Sequence, residues 1–210
     1  MMRTVTFRLA AYETPLWATP NFSPGRYNGA GDGCTQYLSL HPMTPWGELL
    51  RNEDRRDRDQ ALLLRASIWA VKILLEEDPL EVTFDTATAL GITPVDLVSD
   101  DQSACRALAQ SFREDDAGPR AFVAPSAALP GTRNLVLLDP FVALSYELSP
   151  VAPEDLPVAM VAQDGRCPEG LWNLVHYRGT PTIHPALDAW RSEDEFEFVE
   201  PPVSPATLTI

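Results

Sequence analysis

The sequence predicts an α/β (α+β) domain built on a mixed β-sheet with flanking helices. Two sets of segments carry that expectation. Apolar runs of strand length recur at 5–10, 35–40, 79–87, 120–127 and 133–140, and helical patterns open near Trp46 and Gln102. The two kinds alternate irregularly, with too few strand–helix–strand repeats for a doubly wound sheet. A chain of 210 residues, 45% of them hydrophobic, is long enough for one well-buried domain.

"VTFRLA" (5–10) reads as the first strand and "TQYLSL" (35–40) as the second, with a glycine-rich loop before it. Pro45 suits the first helical position, with Thr44 as N-cap, and this puts Glu48 in the first turn of a helix. The apolar stretch 61–75 fits a second helix or a strand, and its pattern does not choose. "PLEVTFDTA" (79–87) alternates Leu80, Val82 and Phe84 with polar residues, as a half-buried strand does. Asp100 or Asp101 would cap a helix over 102–112. "RAFVAPSA" and "RNLVLLDP" are strands closed at Pro125 and at Asp139–Pro140. Residues 1–150 form the main domain in this reading. Residues 151–210, with ten acids against three arginines, form an acidic extension packed on it or trailing from it, in which "LWNLVHYRG" would add one strand.

Charge and composition exclude several classes. With 16 basic and 30 acidic residues the net charge is −14, which argues against a nucleic-acid surface. "RNEDRRDRD" (51–59) balances four arginines with four acids and reads as a solvated helix face. No apolar run is long enough to span a membrane and no secretory signal is evident, so a cytoplasmic location is expected. The three cysteines lack CxxC spacing and the three histidines lack any ligand spacing, so no metal is expected.

The candidate site residues lie where strands end or loops turn: Arg8, the "GRYN" of 25–28, Tyr37, Glu48 and Ser126. Each has a plain structural reading. Arg8 would make an edge ion pair, Glu48 would favour the helix dipole, and Ser126 would serve a turn. The glycine loop matches neither dinucleotide-binding nor phosphate-loop spacing. GxSxG is absent and no histidine is placed to partner Ser126, which disfavours a serine hydrolase.

In order, however, "TFRLA", "SPGRYNGAGDGCTQYLSLHPMTPWGELLR" and "RAFVAPSAALPGTRNLVLLDP" resemble the RES domain, a family named for an Arg, a Glu and a Ser. There an early strand carries the Arg, a "GGRWN"-like loop leads into a "YLA" strand, and a helix with the Glu follows. A "P-S" step and an "N-L-hydrophobic-NP" strand end complete the pattern. The resemblance covers roughly residues 5–147. It departs at Pro24, at Tyr27 and at Asp139, which stand for Gly, Trp and Asn in the pattern.

The resemblance implies a fold similar to ADP-ribosyltransferase-type toxins. It also implies a toxin of a bacterial toxin–antitoxin pair, with an Xre-type antitoxin as partner. Such proteins break the nicotinamide–ribose bond of NAD⁺, by hydrolysis or with inorganic phosphate as co-substrate. NAD⁺ is then the substrate and no prosthetic group is needed. A protein ADP-ribosyltransferase using the same site and a catalytically degenerate binding module are the alternatives. On this resemblance Glu48, Arg8 and Ser126 are the catalytic set. Glu48 would stabilise the oxocarbenium-like ribosyl cation. Arg8 and Arg26 would grip the pyrophosphate. Tyr27 and Tyr37 would orient the nicotinamide ring, and Asn28 and Asn134 would support the cofactor-binding set. Oligomeric state stays open, a homo-oligomer included.

Overall fold

The computed structural model describes residues 2–9, 23–75, 77–138 and 159–201. Among the described residues seven strands form one mixed sheet: β1 (Met2–Leu9), β2 (Thr35–Ser39), β3 (Arg65–Leu75), β4 (Leu80–Glu81), β5 (Ala121–Pro125), β6 (Arg133–Leu138) and β7 (Ala159–Arg166). Their order across the sheet is β4-β5-β6-β2-β1-β3-β7, with only β4 and β5 parallel. The helices are α1 (Thr44–Asn52), α2 (Arg58–Leu63), α3 (Ser103–Glu114) and α4 (Pro185–Arg191).

Both faces of the central strands are covered, which explains the unbroken apolar run in "NLVLL". Successive side chains of a strand point to opposite faces. Val136 and Leu138 join Phe122, Leu97 and the buried stripe of α3 (Cys105, Leu108, Ala109, Phe112). Leu135 and Leu137 join Leu38, Val71 and Ile73 on the other side. The α3 stripe repeats at i, i+3, i+4 and i+7, the spacing of an amphipathic helix. A third cluster packs Trp46 and Leu50 of α1 against Ala61, Leu129, Leu171, Trp172 and Tyr177.

Several boundaries differ from those expected. Residues 61–75 divide: Asp57 accepts a hydrogen bond from Gln60 N (2.9 Å) to start α2, and Leu64 then turns extended to begin β3. The β-branched and aromatic content of 68–73 favours the strand. Of "PLEVTFDTA" only Leu80–Glu81 is strand, because Thr83 and Thr86 exchange side-chain to backbone hydrogen bonds (2.8 and 3.2 Å) that curl the chain into a turn. Met43, not Thr44, holds the α1 cap position, so Glu48 lies past the first turn and the helix-dipole role does not apply. Gln102 holds the α3 N-cap position without a side-chain cap bond, and Asp101 accepts from Ser103 N (2.9 Å). "LWNLVHYRG" forms a short 3₁₀ turn (Leu171–Asn173) entered through Gly170 at φ +82°, with Leu171, Trp172, Val175 and Tyr177 buried. The extension's strand is β7 instead, paired antiparallel with β3. The Asp139–Pro140 strand end lies outside the described residues.

Candidate active site

Adjacent strands bring distant residues together. Ser39 of β2 faces Asn134 of β6 in register, and Ser39 Oγ donates to Asn134 Oδ1 (2.8 Å). With its oxygen so occupied, the Asn134 amide presents Nδ2, which donates to Glu48 Oε1 (3.3 Å). Ser126 Oγ donates to the same oxygen (2.9 Å) while accepting from Ala128 N (3.2 Å) and Leu129 N (3.1 Å). Two N–H donors on one hydroxyl leave its proton only the carboxylate to serve. Glu48 is therefore held from two sides, by residues 78 and 86 positions away in sequence.

The carboxylate opens into a cavity of about 500 Å³, within the usual range for small-molecule sites. Arg8 of β1, Arg26 of the glycine loop, Arg51 of α1 and Arg178 line it together with Glu48. Those four guanidinium groups against one carboxylate make a cationic pocket in an anionic chain.

The "GRYN" segment is a tight turn closed by Gly25 N donating to Asn28 O (2.9 Å). A Cβ on Gly25 would lie 2.5 Å from Asn28 Oδ1 and 2.7 Å from Tyr37 Oη, so only glycine fits. Two arginines of α3 pin the turn: Arg106 Nε donates to Gly25 O (2.9 Å) and Arg113 Nη1 to Tyr27 O (3.4 Å). Tyr37 Oη accepts from Tyr27 N (2.9 Å) and donates to Asn28 Oδ1 (2.8 Å). Burial raises the Tyr37 pKa, against the opposing Tyr27 N–H and the nearby Arg113 and Arg26, so the phenol keeps the proton it donates.

This places several expected ligand groups in structural roles. Tyr27, expected to stack on a ligand, is 2% exposed and meets Phe122 edge-on (centroids 4.9 Å), and it also lines the cavity. Asn28 is 1% exposed and donates to Ser23 O and Gly29 O, bracing the loop. Arg26 lines the cavity but also donates to Asp96 O (3.3 Å) and Ser99 O (2.8 Å). Tyr37, Asn134 and Arg8 line the cavity as well, and Ser126 stands behind Glu48.

Arg51 was not foreseen. It belongs to the charged run taken for a solvated face, yet it is 4% exposed. Its Nη1 donates to Ala127 O, and its Nη2 pairs with Asp100 Oδ1 (2.6 Å). Burial lowers its pKa, assisted by Arg26 and opposed by Glu48 and Asp100. Asp100 in turn accepts from Gly179 N (2.8 Å). Burial works to raise its pKa, but that N–H and Arg51 hold it below the ordinary carboxylate value. The only sequence signal for Arg51 was its place three residues after Glu48, on one helical face. Behind Ser126, His184 is buried against His176 (centroids 5.0 Å). Burial, with His176 and Arg51 close by, pulls its pKa down to about 3.

The model of the RES domain matches residues 3–159 of this sequence. The chain belongs to the RES domain family. Arg8, Glu48 and Ser126, the residues expected from the resemblance, lie in β1, in α1 and just after β5. A Mycobacterium tuberculosis protein named probable NAD(+) phosphorylase Rv3189 is 33% identical over 123 residues, 57% of this chain and 56% of that protein. The match thus spans little more than half of that relative. The solved M. tuberculosis MbcT–MbcA toxin–antitoxin complex contains a chain with the same fold. It aligns at a TM-score of 0.57 and 15% identity, over 82% of this chain and 88% of that one. Among the described residues of this RES domain chain, no group of three or more His, Cys, Asp or Glu is placed to hold a metal, and no helix is long and apolar enough to cross a membrane.

Proposed function

We propose that this protein cleaves NAD⁺ at the nicotinamide–ribose bond and acts as the toxin of a toxin–antitoxin pair. The observation that carries the reading is Glu48, fixed by Ser126 and Asn134 at the wall of an arginine-lined cavity. Loss of nicotinamide leaves positive charge on the ribose, and a carboxylate already held in place stabilises that charge without reorganising. Arg8 and Arg26 supply cations to the pyrophosphate. Arg26 spends two of its five N–H groups on the Asp96 and Ser99 carbonyls while lining the cavity. The glycine loop serves as a wall of the cavity, which Tyr27 and Tyr37 also line. The NAD(+) phosphorylase name of the M. tuberculosis relative supports the same bond and phosphate as acceptor. The MbcT–MbcA neighbour supports an antitoxin partner for this chain.

Purified protein incubated with NAD⁺ should release nicotinamide, measured by chromatography with mass detection. Glu48→Gln keeps the side chain's size and removes its charge. It should lower the rate on the order of 10²–10³-fold, as loss of one preorganised electrostatic contact does, with the circular dichroism spectrum unchanged. Undiminished NAD⁺ turnover by a folded Glu48→Gln protein would refute the role given to this carboxylate.

A further inference from the structure

We infer that residues 196–200 form a strap that holds the 126–132 turn to helix α1, and that Phe198 is a positioning residue acting on Glu48 through Ser126. The inference rests on the NAD⁺-cleaving reading of the site. The segment lies beyond residue 159, where the family match ends, and none of its residues lines the cavity. Its effect on the carboxylate therefore passes through the elements it touches.

Ser126 and Glu48 belong to different elements, so their 2.9 Å bond depends on how those elements are spaced. The turn is closed on itself. Ser126 N donates to Thr132 O (2.9 Å), while Thr132 N and Thr132 Oγ1 both donate to Leu129 O (3.2 and 2.8 Å). With Ala128 N and Leu129 N bound to Ser126 Oγ, residues 126–132 move as one unit. Helix α1 meets this unit at the residue before Glu48. A Cβ on Gly47 would lie 3.1 Å from Leu129 Cβ, so a residue that helix interiors disfavour stands where helix and turn come close.

The strap fastens to both elements. On the turn, its backbone crosses Gly131, where a Cβ would lie 2.8 Å from Phe198 N and 3.0 Å from a Phe196 ring carbon. On the helix side, the Phe198 ring meets His41 edge-on (centroids 5.0 Å) and packs on the cluster that contains Trp46, Leu50 and Leu129. His41 Nε2 lies 3.1 Å from Glu200 Oε1, and its Nδ1 accepts from the backbone N–H of Met43, the α1 cap residue (3.2 Å). One imidazole thus joins the strap to the start of the helix. Phe198 is half-buried between two exposed neighbours, Glu197 and Val199, so this one side chain anchors a surface segment. Close-packed interiors transmit displacement because they compress little. Without the Phe198 ring the turn is free to shift against α1, and Ser126 Oγ no longer fixes Glu48 at the cavity wall.

The test compares the full chain as wild type, Phe198→Ala, Phe198→Leu and Trp190→Phe. The last removes the Trp190 Nε1 bond to Asp85 Oδ1 (2.8 Å), a contact of the same C-terminal segment made elsewhere. Steady-state NAD⁺ consumption should show kcat about tenfold lower for Phe198→Ala, with the KM for NAD⁺ within about twofold, because misplacing a reacting group costs rate more than binding. Phe198→Leu keeps an apolar anchor and should recover most of that loss, and Trp190→Phe should leave kcat within about twofold of wild type. In a Ser126→Ala background, Phe198→Ala should change kcat by less than about twofold, the non-additivity of one residue acting through another. Equal losses from Phe198→Ala with and without Ser126 would overturn the positioning role. Equal losses from Trp190→Phe and Phe198→Ala would overturn it too, as would an unchanged kcat in a folded Phe198→Ala protein. Amide hydrogen exchange reads the strap without activity. Phe198→Ala should speed exchange at Ala128 and Leu129 about tenfold relative to the β6 amides, and Trp190→Phe should not. Unchanged protection at those two amides would overturn the strap even where NAD⁺ is cleaved. No NAD⁺ loss by wild type would bring down the cleavage reading, with hydrogen exchange still deciding whether the strap holds the turn.

Discussion

Ser126→Ala tests the geometry around the carboxylate, because one hydroxyl serves three partners. It accepts from Ala128 N and Leu129 N, both in buried bonds, and donates to Glu48 Oε1. An alanine leaves two buried N–H groups without an acceptor, each at a cost of about 1–3 kcal/mol. The Glu48 bond is partly solvated and adds little to stability. Some relaxation of the 126–129 turn is expected, so the net loss should be about 2–4 kcal/mol. For a chain of this length each kcal/mol lowers Tm by about 2–4 °C, so the melting midpoint should fall by about 4–16 °C. Thermal unfolding followed by circular dichroism reads this directly, and nicotinamide release read below the transition should fall as well. Ser39→Ala is the comparison, since its hydroxyl donates to Asn134 alone and its loss should cost about 1 kcal/mol. A Ser126→Ala protein that melts within a degree of wild type would show that the hydroxyl does not hold the turn, and the orientation argued for Glu48 would fall with it.

Gly25→Ala should push the Asn28–Tyr37 hydrogen bond apart and raise the NAD⁺ KM several-fold, read from steady-state kinetics; an unchanged KM would mean the loop does not shape the cavity. Asp100→Asn leaves Arg51 buried without its anion and should cost roughly 2 kcal/mol in urea unfolding, less than a fully buried pair because Asp100 is half exposed. His184, with a folded pKa near 3, stays neutral where the unfolded chain takes up a proton. Its contribution is complete above about pH 6.5 and is lost as pH falls toward 3, by up to about 1.4 kcal/mol per pH unit. His184→Leu should therefore flatten the acid limb of urea-unfolding stability between pH 6 and 4 relative to wild type; parallel limbs would contradict a buried neutral imidazole.

What the sequence conveyed about the site depended on how far each relation reaches along the chain. Local patterns sufficed for β1, β2, α3, β5 and the body of β6, where alternation or helical spacing lies within one element. Glu48, Ser126 and Asn134 meet across 78 and 86 positions, and only the ordered family pattern linked them. The loop's composition marked it out, but the same features support two roles. An arginine, two tyrosines and an asparagine around glycines can grip a ligand or hold a turn, and here Tyr27, Asn28 and Tyr37 make the turn's own contacts. Strand β7 escaped notice because "AMVAQDGR" carries Asp and Gly in its interior and shows no alternation.

Arg51 shows why a balanced charge run is not a solvated face by default. Its partners are the Ala127 carbonyl and the Asp100 carboxylate, 76 and 49 residues away, while the acids beside it in sequence pair elsewhere: Asp54 with Arg56, Glu53 with Arg55. Net charge misleads for a related reason. A total of −14 argues against binding a polyanion across an open surface, where every charge contributes at long range. Salt and solvent screen the distant exterior charges, so the field in the cavity comes from the nearest groups, four arginines and Glu48, with Asp100 paired to Arg51. The acidic exterior and cationic cavity together admit a small anion and disfavour a nucleic acid. Raising ionic strength should accordingly weaken NAD⁺ binding only modestly, without the steep power-law loss that follows release of many counterions; a steep salt dependence would mean that the ligand is held by exposed arginines and not by the cavity.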